Sequence, residues 1–489
     1  MIQSDNRSHR AILRELARKA MISRGLQPDF TPQALAELDN LHPDTVLTGK
    51  VRDQRYMLWC SIDNHDSRDL DQLTVAEALP DGSSRLLVAI ADVDALVSKG
   101  TVIDEHAMQN TTSVYTSAEI FPMLPERLST DLTSLNYHCE RMTLVVDMNI
   151  SRDGELLKSE VYRSLVRSRA KLDYATVGAW IEGAELVPPE VARVQGLSEN
   201  IRLQDRLAIL MKKFRHGLGA LDFETRESTP VFDGDMILEL RETQRNRARD
   251  IIEEFMISAN EATAAFLADK NFPTFRRIVK NPKRWSRIVE IAAEHDTKLP
   301  EEPDSKALQD FMAQQKAKDP ENFADLSLSI IKLLGPGEYA IGFPGEPSEG
   351  HFGLAVKNYS HSTAPNRRYP DLITHRLLKN AMAGKEVPYA HEELESLALH
   401  CTQKEDDAKK VERQVSKSAA ALVLEHHIGE QYDAIVTGAA DKGTWVRIQH
   451  PHIEGRVIHG AEGIDVGHRI RVELIATDVE NGYIDFKKV

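Results

Sequence analysis

The sequence predicts an α/β central region, preceded by a short helical segment and followed by a small all-β barrel. Three observations carry that prediction. Apolar residues repeat at helical spacing in residues 1–45. From about Val46 short apolar runs fit for buried strands alternate with long helical patterns. Residues 429–489 hold short alternating segments separated by turn signals. The predicted divisions are 1–45, 46–428 and 429–489. The 489 residues suffice for about two or three domains with a sizeable core.

In the first division Ile12, Leu13, Leu16 and Ala20 form a helical stripe, and Gly25 suits its C-terminal cap. Thr31-Pro32 starts a second helix with a stripe of Leu35, Leu38 and Leu41. Two such helices bury little alone and are expected to dock on the next region; a winged-helix remnant also fits. In the second division Leu86–Ala91 and Met142–Met148 read as buried strands. Asp250–Leu267 and Gln403–His427 read as long helices, and Glu182–Glu190 and Pro300–Pro320 as polar or proline-bearing connections. In the third, Tyr432–Thr437, Thr444–Ile448 and Ile470–Ile475 alternate as strands, with a turn at Gly438–Gly443. Asn481-Gly482 is a hairpin signal before Tyr483–Phe486, and the set reads as a small barrel.

Composition excludes some classes. No apolar run approaches the roughly 18–20 residues that span a bilayer. Residues Met1 to Arg24 lack the apolar centre of a secretory signal. Cys60, Cys139 and Cys401 lie far apart and form neither a disulfide framework nor a zinc spacing. A cytoplasmic protein without a membrane partner is expected. The net charge of -15 argues against a general nucleic-acid coat protein but admits an enzyme with its basic residues gathered in one channel. Arg163–Lys171, Arg241–Arg249, Arg276–Arg284 and Arg367–Lys379 are the candidate clusters; for any single one a solvated helix face is the favoured reading.

The most informative stretch is Ser61–Gln72, where Asp63, Asp66, Asp69 and Asp71 fall within nine residues after a predicted strand. Asp69 and Asp71 share one side of an extended chain, and a turn can return Asp63 to them. Such carboxylates suit magnesium, which takes hard oxygen ligands and keeps waters. An exposed acidic loop or a calcium loop fits the spacing too, although the EF-hand form lacks its Gly and Glu. The second dense stretch, Tyr359–Asp371, sets Arg367 and Arg368 in a loop stiffened by Pro365, just before a helix start. Arginine beside a helix N-terminus suits phosphate; an ion-paired structural loop fits equally.

Together these stretches resemble the ribonuclease II / ribonuclease R (RNB) family of exoribonucleases, across roughly Val51 to Val489. Ile62-Asp63 with Arg68–Asp71 is similar to the family's aspartate signature, and Ala89–Val93 follows it. Ser113–Tyr115, Pro122–Ser129, Ile251–Asn260, His351–Ala355 and Tyr359–Arg376 continue the match in order. The resemblance implies an RNB-like catalytic domain with a channel for single-stranded RNA, and hydrolysis from the 3′ end to nucleoside monophosphates. Asp63, Asp69 and Asp71, with Gln72 beside them, would hold magnesium or manganese; Asp69 and Asp71 would order the attacking water, and Arg367 would stabilise charge on the phosphate. Tyr115 and Phe223 would stack terminal bases, and Glu253 and Glu412 would seat the terminal residues. The implied partner is a single-stranded RNA 3′ end, with no required protein partner and a monomeric chain.

Two departures follow. The family's signature ends in two adjacent aspartates, whereas Gln72 stands second here, with Asp66 as an extra carboxylate off the matched spacing. Typical members carry two N-terminal cold-shock barrels, so the chain is expected to be a short form without them. Ser362 and Asn366 are smaller changes within the arginine loop. Gln72 keeps open a second reading, a catalytically weakened RNA-binding or regulatory protein on the same fold. Residues 429–489 resemble an OB-fold module repeated in a ribosomal RNA-binding protein, with Trp445 and His459 implied to contact bases. Residues 430–489 hold 7 Lys+Arg against 10 Asp+Glu, so weak RNA binding by this module alone is expected.

Overall fold

The computed structural model describes residues 8–43, 50–225, 228–242, 245–346, 350–440, 443–449 and 451–489. The predicted boundary at 45/46 lies outside the described residues, as do residues 1–7, 243–244 of one basic cluster and 441–442 of the predicted Gly438–Gly443 turn.

The centre is a mixed sheet of seven strands in the order Arg52–Asp53, Leu156–Arg167, Glu140–Ile150, Ser84–Ala91, Gln72–Ala78, Cys60–Asp63, Ala170–Asp173. Its middle strand, Ser84–Ala91, runs antiparallel to both neighbours, with Ile90 opposite Gln72 on one side and Leu144 on the other. Leu86 through Ala91 are essentially fully buried, as expected of a strand covered on both faces. The strands Cys60–Asp63 and Gln72–Ala78 are adjacent and antiparallel, so the aspartate stretch is the loop joining them.

Helix Arg247–Asp269 packs against this sheet beside helix Leu197–Gly217. Asn246 caps its start by accepting the Arg249 N–H. The arginine stretch leads into helix Tyr369–Ala383, with Pro370 in its first turn, and Gly384 ends it at φ 64°, a conformation that favours glycine. Helix His391–Leu424 is longer than predicted: Leu394, Leu397, Ala398 and Cys401 extend the buried stripe before Gln403, and a separate 3-10 turn, Glu425–His427, follows Leu424. The predicted connection Pro300–Pro320 contains helix Ser305–Lys318, which buries Leu308, Phe311, Met312 and Gln315 at helical spacing between the two prolines.

The N-terminal helices form at His9–Ser23 and Pro32–Leu38. The first shares a core with Val411, Val415 and Ala419 of the long helix, and the second joins the main core through Ala34 and Leu38. Their apolar faces serve different cores. Leu35 of the expected stripe is exposed.

The C-terminal strands close into a barrel in the order Gln431–Ala440, Gly443–Ile448, Ile453–His459, Tyr483–Lys488, Arg469–Asp478. Strand Ile453–His459 was missing from the sequence-based set; the first strand also runs on to Ala440 through a bulge near Val436. The barrel core, including Val436, Val446, Leu474 and Phe486, packs on Ala420, Ala421 and Leu424 of the long helix.

Candidate active site

The aspartate loop leaves the sheet at Asp63 and re-enters at Gln72. Leu70, 1% exposed, anchors it in the core and leaves Asp69 and Asp71 on the flanking positions. Lys171 reaches over to donate to the Ser67 carbonyl.

Asp71, 2% exposed, is the most buried of the loop's four carboxylates and so the floor of the site. The Asn366 N–H donates to its Oδ1 at 3.2 Å and Arg367 Nε to its Oδ2 at 3.1 Å. Burial pushes its carboxyl up to about 7; Arg367 pulls the other way and the charge of Asp69 adds to the rise. Burial also raises Asp63, again against Arg367 and with Asp69 adding. Asp69 accepts the Tyr115 hydroxyl at 3.2 Å, and the Tyr115 N–H donates to Glu412 Oε1 at 2.9 Å.

The arginine loop is held from within. Asn260 Oδ1 accepts the Ser362 N–H at 2.8 Å. Asp371 Oδ1 accepts both the Ala364 N–H at 2.8 Å and the Arg368 guanidinium at 2.7 Å. Arg368 thus serves the loop. Arg367 keeps 42% of its side chain open while its Nε stays on Asp71.

Asp63, Asp69, Asp71, Arg367, Tyr115 and Glu412 are therefore linked through charge or hydrogen bonds. Phe223 and Glu253 line a separate cavity of about 310 Å³ with Lys212, Arg215, Arg245 and His351. Phe223 is half-buried against the core around Leu221 and Ile330, and Glu253 accepts Arg245 at 2.7 Å. Tyr115 and Glu412 line a cleft of about 730 Å³ with Lys332, Lys409, Arg413 and Lys417. Trp445 does not join them: it is half-buried in a groove of about 610 Å³ with Arg456 and Tyr483, between the barrel and the long helix. Arg413 and Lys417 line both the cleft and the groove. Gln72 is buried at the start of its strand, Asp66 is exposed in the loop, and His459 is exposed on the barrel.

The basic clusters resolve mostly into structural pairs. Arg163 and Lys379 hold the buried Asp92, Arg277 holds Glu405, Arg284 holds Asp465 of the barrel, and Arg376 holds Asp104. Sequence reasoning missed Lys212 and Arg215, which carry no motif, and gave His351 no role although it opens a matched stretch. It also missed Tyr174, whose hydroxyl feels the charge of Asp63 and whose ring lies 4.4 Å from the Arg249 guanidinium carbon.

The donor set suits a hard divalent cation. Asp63, Asp69 and Asp71 offer carboxylate oxygens, and burial first, then the charge of Asp69, disfavours the ionised forms of Asp63 and Asp71. Among the described residues no three Asp, Glu, His or Cys side chains already converge as a preformed cluster, so such an ion would rely on water for further ligands.

The RNB domain matches residues 51–384, and the RNase II-type exonuclease C-terminal S1 domain matches residues 430–489. The chain is 30% identical over 476 residues to Ribonuclease R 1 of Lactococcus lactis, an alignment covering 91% of this chain and 57% of that protein. The chain spans less than two thirds of the length of that relative. Its fold is similar to that of Mycoplasma genitalium RNase R in complex with ribose methylated single-stranded RNA, with TM-score 0.86 and 22% identity over 97% of this chain and 77% of that one. It is also similar to yeast Ssd1, a pseudonuclease, with TM-score 0.69 and 18% identity over 91% of this chain and 55% of that one. A fold shared by a nuclease and a pseudonuclease leaves activity to be argued from the site. The match over residues 51–384, carried on this sheet and these two loops, shows that the chain belongs to the RNB domain family.

Proposed function

We propose that this chain is a hydrolytic exoribonuclease that shortens single-stranded RNA from its 3′ end and releases nucleoside 5′-monophosphates. The observation that carries the reading is the Asp71–Arg367 pair: a buried carboxylate and a half-open guanidinium at 3.1 Å, at the closed end of the aspartate loop. A non-catalytic reading based on Gln72 has to explain why that pair and its supports are kept.

Asp63, Asp69 and Asp71 would hold magnesium or manganese, which when bound activates water and neutralises charge on the phosphodiester. Asp71 and Asp69 accept hydrogen bonds from the attacking water and fix its line of approach. The water oxygen bonds to phosphorus as the bond to the 3′-oxygen of the preceding nucleotide breaks, leaving a 3′-hydroxyl and a free monophosphate. Arg367 is aimed by Asp71 toward the phosphate oxygens, where negative charge grows in the transition state. Tyr115, 41% exposed, offers its ring to a terminal base while its hydroxyl steadies Asp69. Phe223 and Glu253 bound the cavity that would take the terminal residues, and Glu412 holds the Tyr115 backbone.

Every group named belongs to one chain, which supports the reading of a monomer acting on the RNA 3′ end. Among the described residues no helix is long and apolar enough to cross a membrane. Cys60 and Cys401 are buried free thiols, consistent with a reducing cytoplasm as the working place.

The test is the purified chain with 5′-labelled single-stranded RNA, with a free or a blocked 3′ end, in magnesium, manganese or EDTA. A ladder descending from the free 3′ end, metal-dependent and stopped by the block, is expected. Intact RNA in both metals overturns the proposal.

A further inference from the structure

We propose that the adjacent residues Thr133 and Ser134 are positioning residues that staple the aspartate loop to the arginine loop and so set the placement of Asp71 against Arg367. The proposal rests on the nuclease reading of the same site. Both residues are buried, Ser134 at 0% and Thr133 at 5% exposure.

Ser134 grips the aspartate loop. Its Oγ accepts the Leu70 N–H at 3.0 Å and donates to the Arg68 carbonyl at 2.8 Å, the nearer of two acceptors beside the Asn136 oxygen at 3.3 Å. The next residue completes the grip, because the Leu135 N–H donates to the Leu70 carbonyl at 3.0 Å. Thr133 grips the arginine loop through a short contact between its Oγ1 and the Asn366 side-chain amide. The gripped residues directly precede the working ones: Leu70 comes before Asp71 and Asn366 before Arg367. The Asn366 N–H also donates to Asp71, which closes the circuit.

The proton count supports a specific arrangement at Thr133. Its hydroxyl has one proton and two oxygens in reach, the Leu128 carbonyl at 2.9 Å and Asn366 Oδ1. Asn366 Nδ2, on a fully buried residue, has no partner. A half-turn of the amide lets Nδ2 donate to Thr133 Oγ1 while Thr133 gives its proton to Leu128, and leaves Oδ1 in the place of the unpartnered nitrogen. Asn366, a departure from the family motif in the sequence, thus has an assignable task here.

A merely structural role would lower melting temperature and leave turnover per folded molecule alone. The staple instead predicts that Thr133→Val, which keeps shape and removes the hydroxyl, lowers kcat by about ten-fold with KM within about two-fold, since a small misplacement costs chemistry more than binding. Thr133→Ser, which keeps the hydroxyl, should restore kcat to within about two-fold, and Asn366→Leu should add little to Thr133→Val because the two remove one interaction. Hydrogen exchange supplies a readout independent of activity: Thr133→Val should speed exchange in residues 360–368, and Ser134→Ala in residues 64–72, without a global rise. Should Ser134→Ala fail to fold, the Thr133 pair decides. Wild-type kcat and exchange in Thr133→Val, or equal losses in Thr133→Val and Thr133→Ser, overturn the staple. A wild-type chain that leaves RNA intact overturns the function, and the exchange experiment then still judges the staple.

Discussion

Under the proposed function, the floor around Asp71 and the outer face of the barrel would both meet RNA, under opposite physical conditions. At the floor the Asp71 carboxylate is 2% exposed and both its oxygens are engaged. On the barrel Trp445 is half-buried beside Tyr483, which is 61% exposed, in a module with more acids than bases. The difference teaches where each kind of effect should appear. A group fixed in a dry, hydrogen-bonded place acts on the transition state, and its loss costs turnover. A stacking surface acts on bound RNA of any sequence, and its loss costs affinity.

The largest expected effect is at the floor. Asp71→Asn keeps volume and removes one charge, so kcat should fall by about a thousand-fold or more while RNA affinity holds or improves. Single-turnover rates with a filter-binding titration check both halves; near-wild-type turnover would remove Asp71 from the centre. The same carboxyl sets a pH limb. It must be ionised to work, and burial pushes it up to about 7, so activity at limiting metal should drop as pH falls through that value. More metal should move the limb to lower pH, and Asp71→Asn should lose it. The stability sign is opposite: a carboxyl raised by folding contributes stability at low pH, and that contribution is lost as pH rises through about 7.

Tyr115 comes next, since it belongs to both sides of the comparison. Tyr115→Phe keeps the ring and loses the bond to Asp69, which should cost about ten-fold in rate with unchanged end products. Tyr115→Ala also removes the ring and should leave longer end products on a sequencing gel of 5′-labelled RNA. Identical end products from the two variants would separate Tyr115 from the terminal bases.

Gln72→Asp should have a smaller effect. It places a second carboxylate beside Asp71 at an 8% exposed position. The magnesium needed for half-maximal activity should fall by about a few-fold, as expected for one added charge in a partly hydrated site. Because an unpaired buried charge is costly, the variant's melting temperature should also depend more on magnesium than wild type's does. Superimposable titrations and melting curves would place this side chain away from the cation.

The smallest change in turnover is on the barrel. Trp445→Ala should weaken binding of long single-stranded RNA by about five-fold, roughly 1 kcal/mol, with kcat at saturating RNA unaltered. A kcat loss as large as that of Tyr115→Phe would erase the distinction between floor and barrel.

Legibility in the sequence followed the same division. Strand Ser84–Ala91 could be read as a continuous apolar run, and helix Arg247–Asp269 and four of the five barrel strands because burial imposes a period on them. Helix Ser305–Lys318 was obscured by flanking prolines and by a polar composition in which the buried Gln309 and Gln315 supplied part of the inner face. Asp63, Asp69, Asp71 and Arg367 stood out because clustered charge is unusual and the motif order supported it. Thr133, Ser134 and Asn366 could not stand out: hydrogen bonds between residues 233 apart in sequence, as between Thr133 and Asn366, leave no local pattern. The basic clusters suggested a phosphate track, yet Arg163, Lys379, Arg277, Arg376 and Arg284 are consumed in holding Asp92, Glu405, Asp104 and Asp465.

The 34-residue helix His391–Leu424 has one more implication. It runs for about 50 Å. Leu394 to Cys401 belong to the main core, Val411 to Leu422 to the core shared with the N-terminal helix, and Ala420 to Leu424 to the barrel core. A single rod therefore adds a thermodynamic link among all three cores. Barrel and sheet cannot exchange independently between folded and unfolded populations, because fraying at one end of the rod removes side chains from the next core along. Damage in the barrel interior, at Phe486 for example, would be felt as reduced cooperativity at the N-terminal helix.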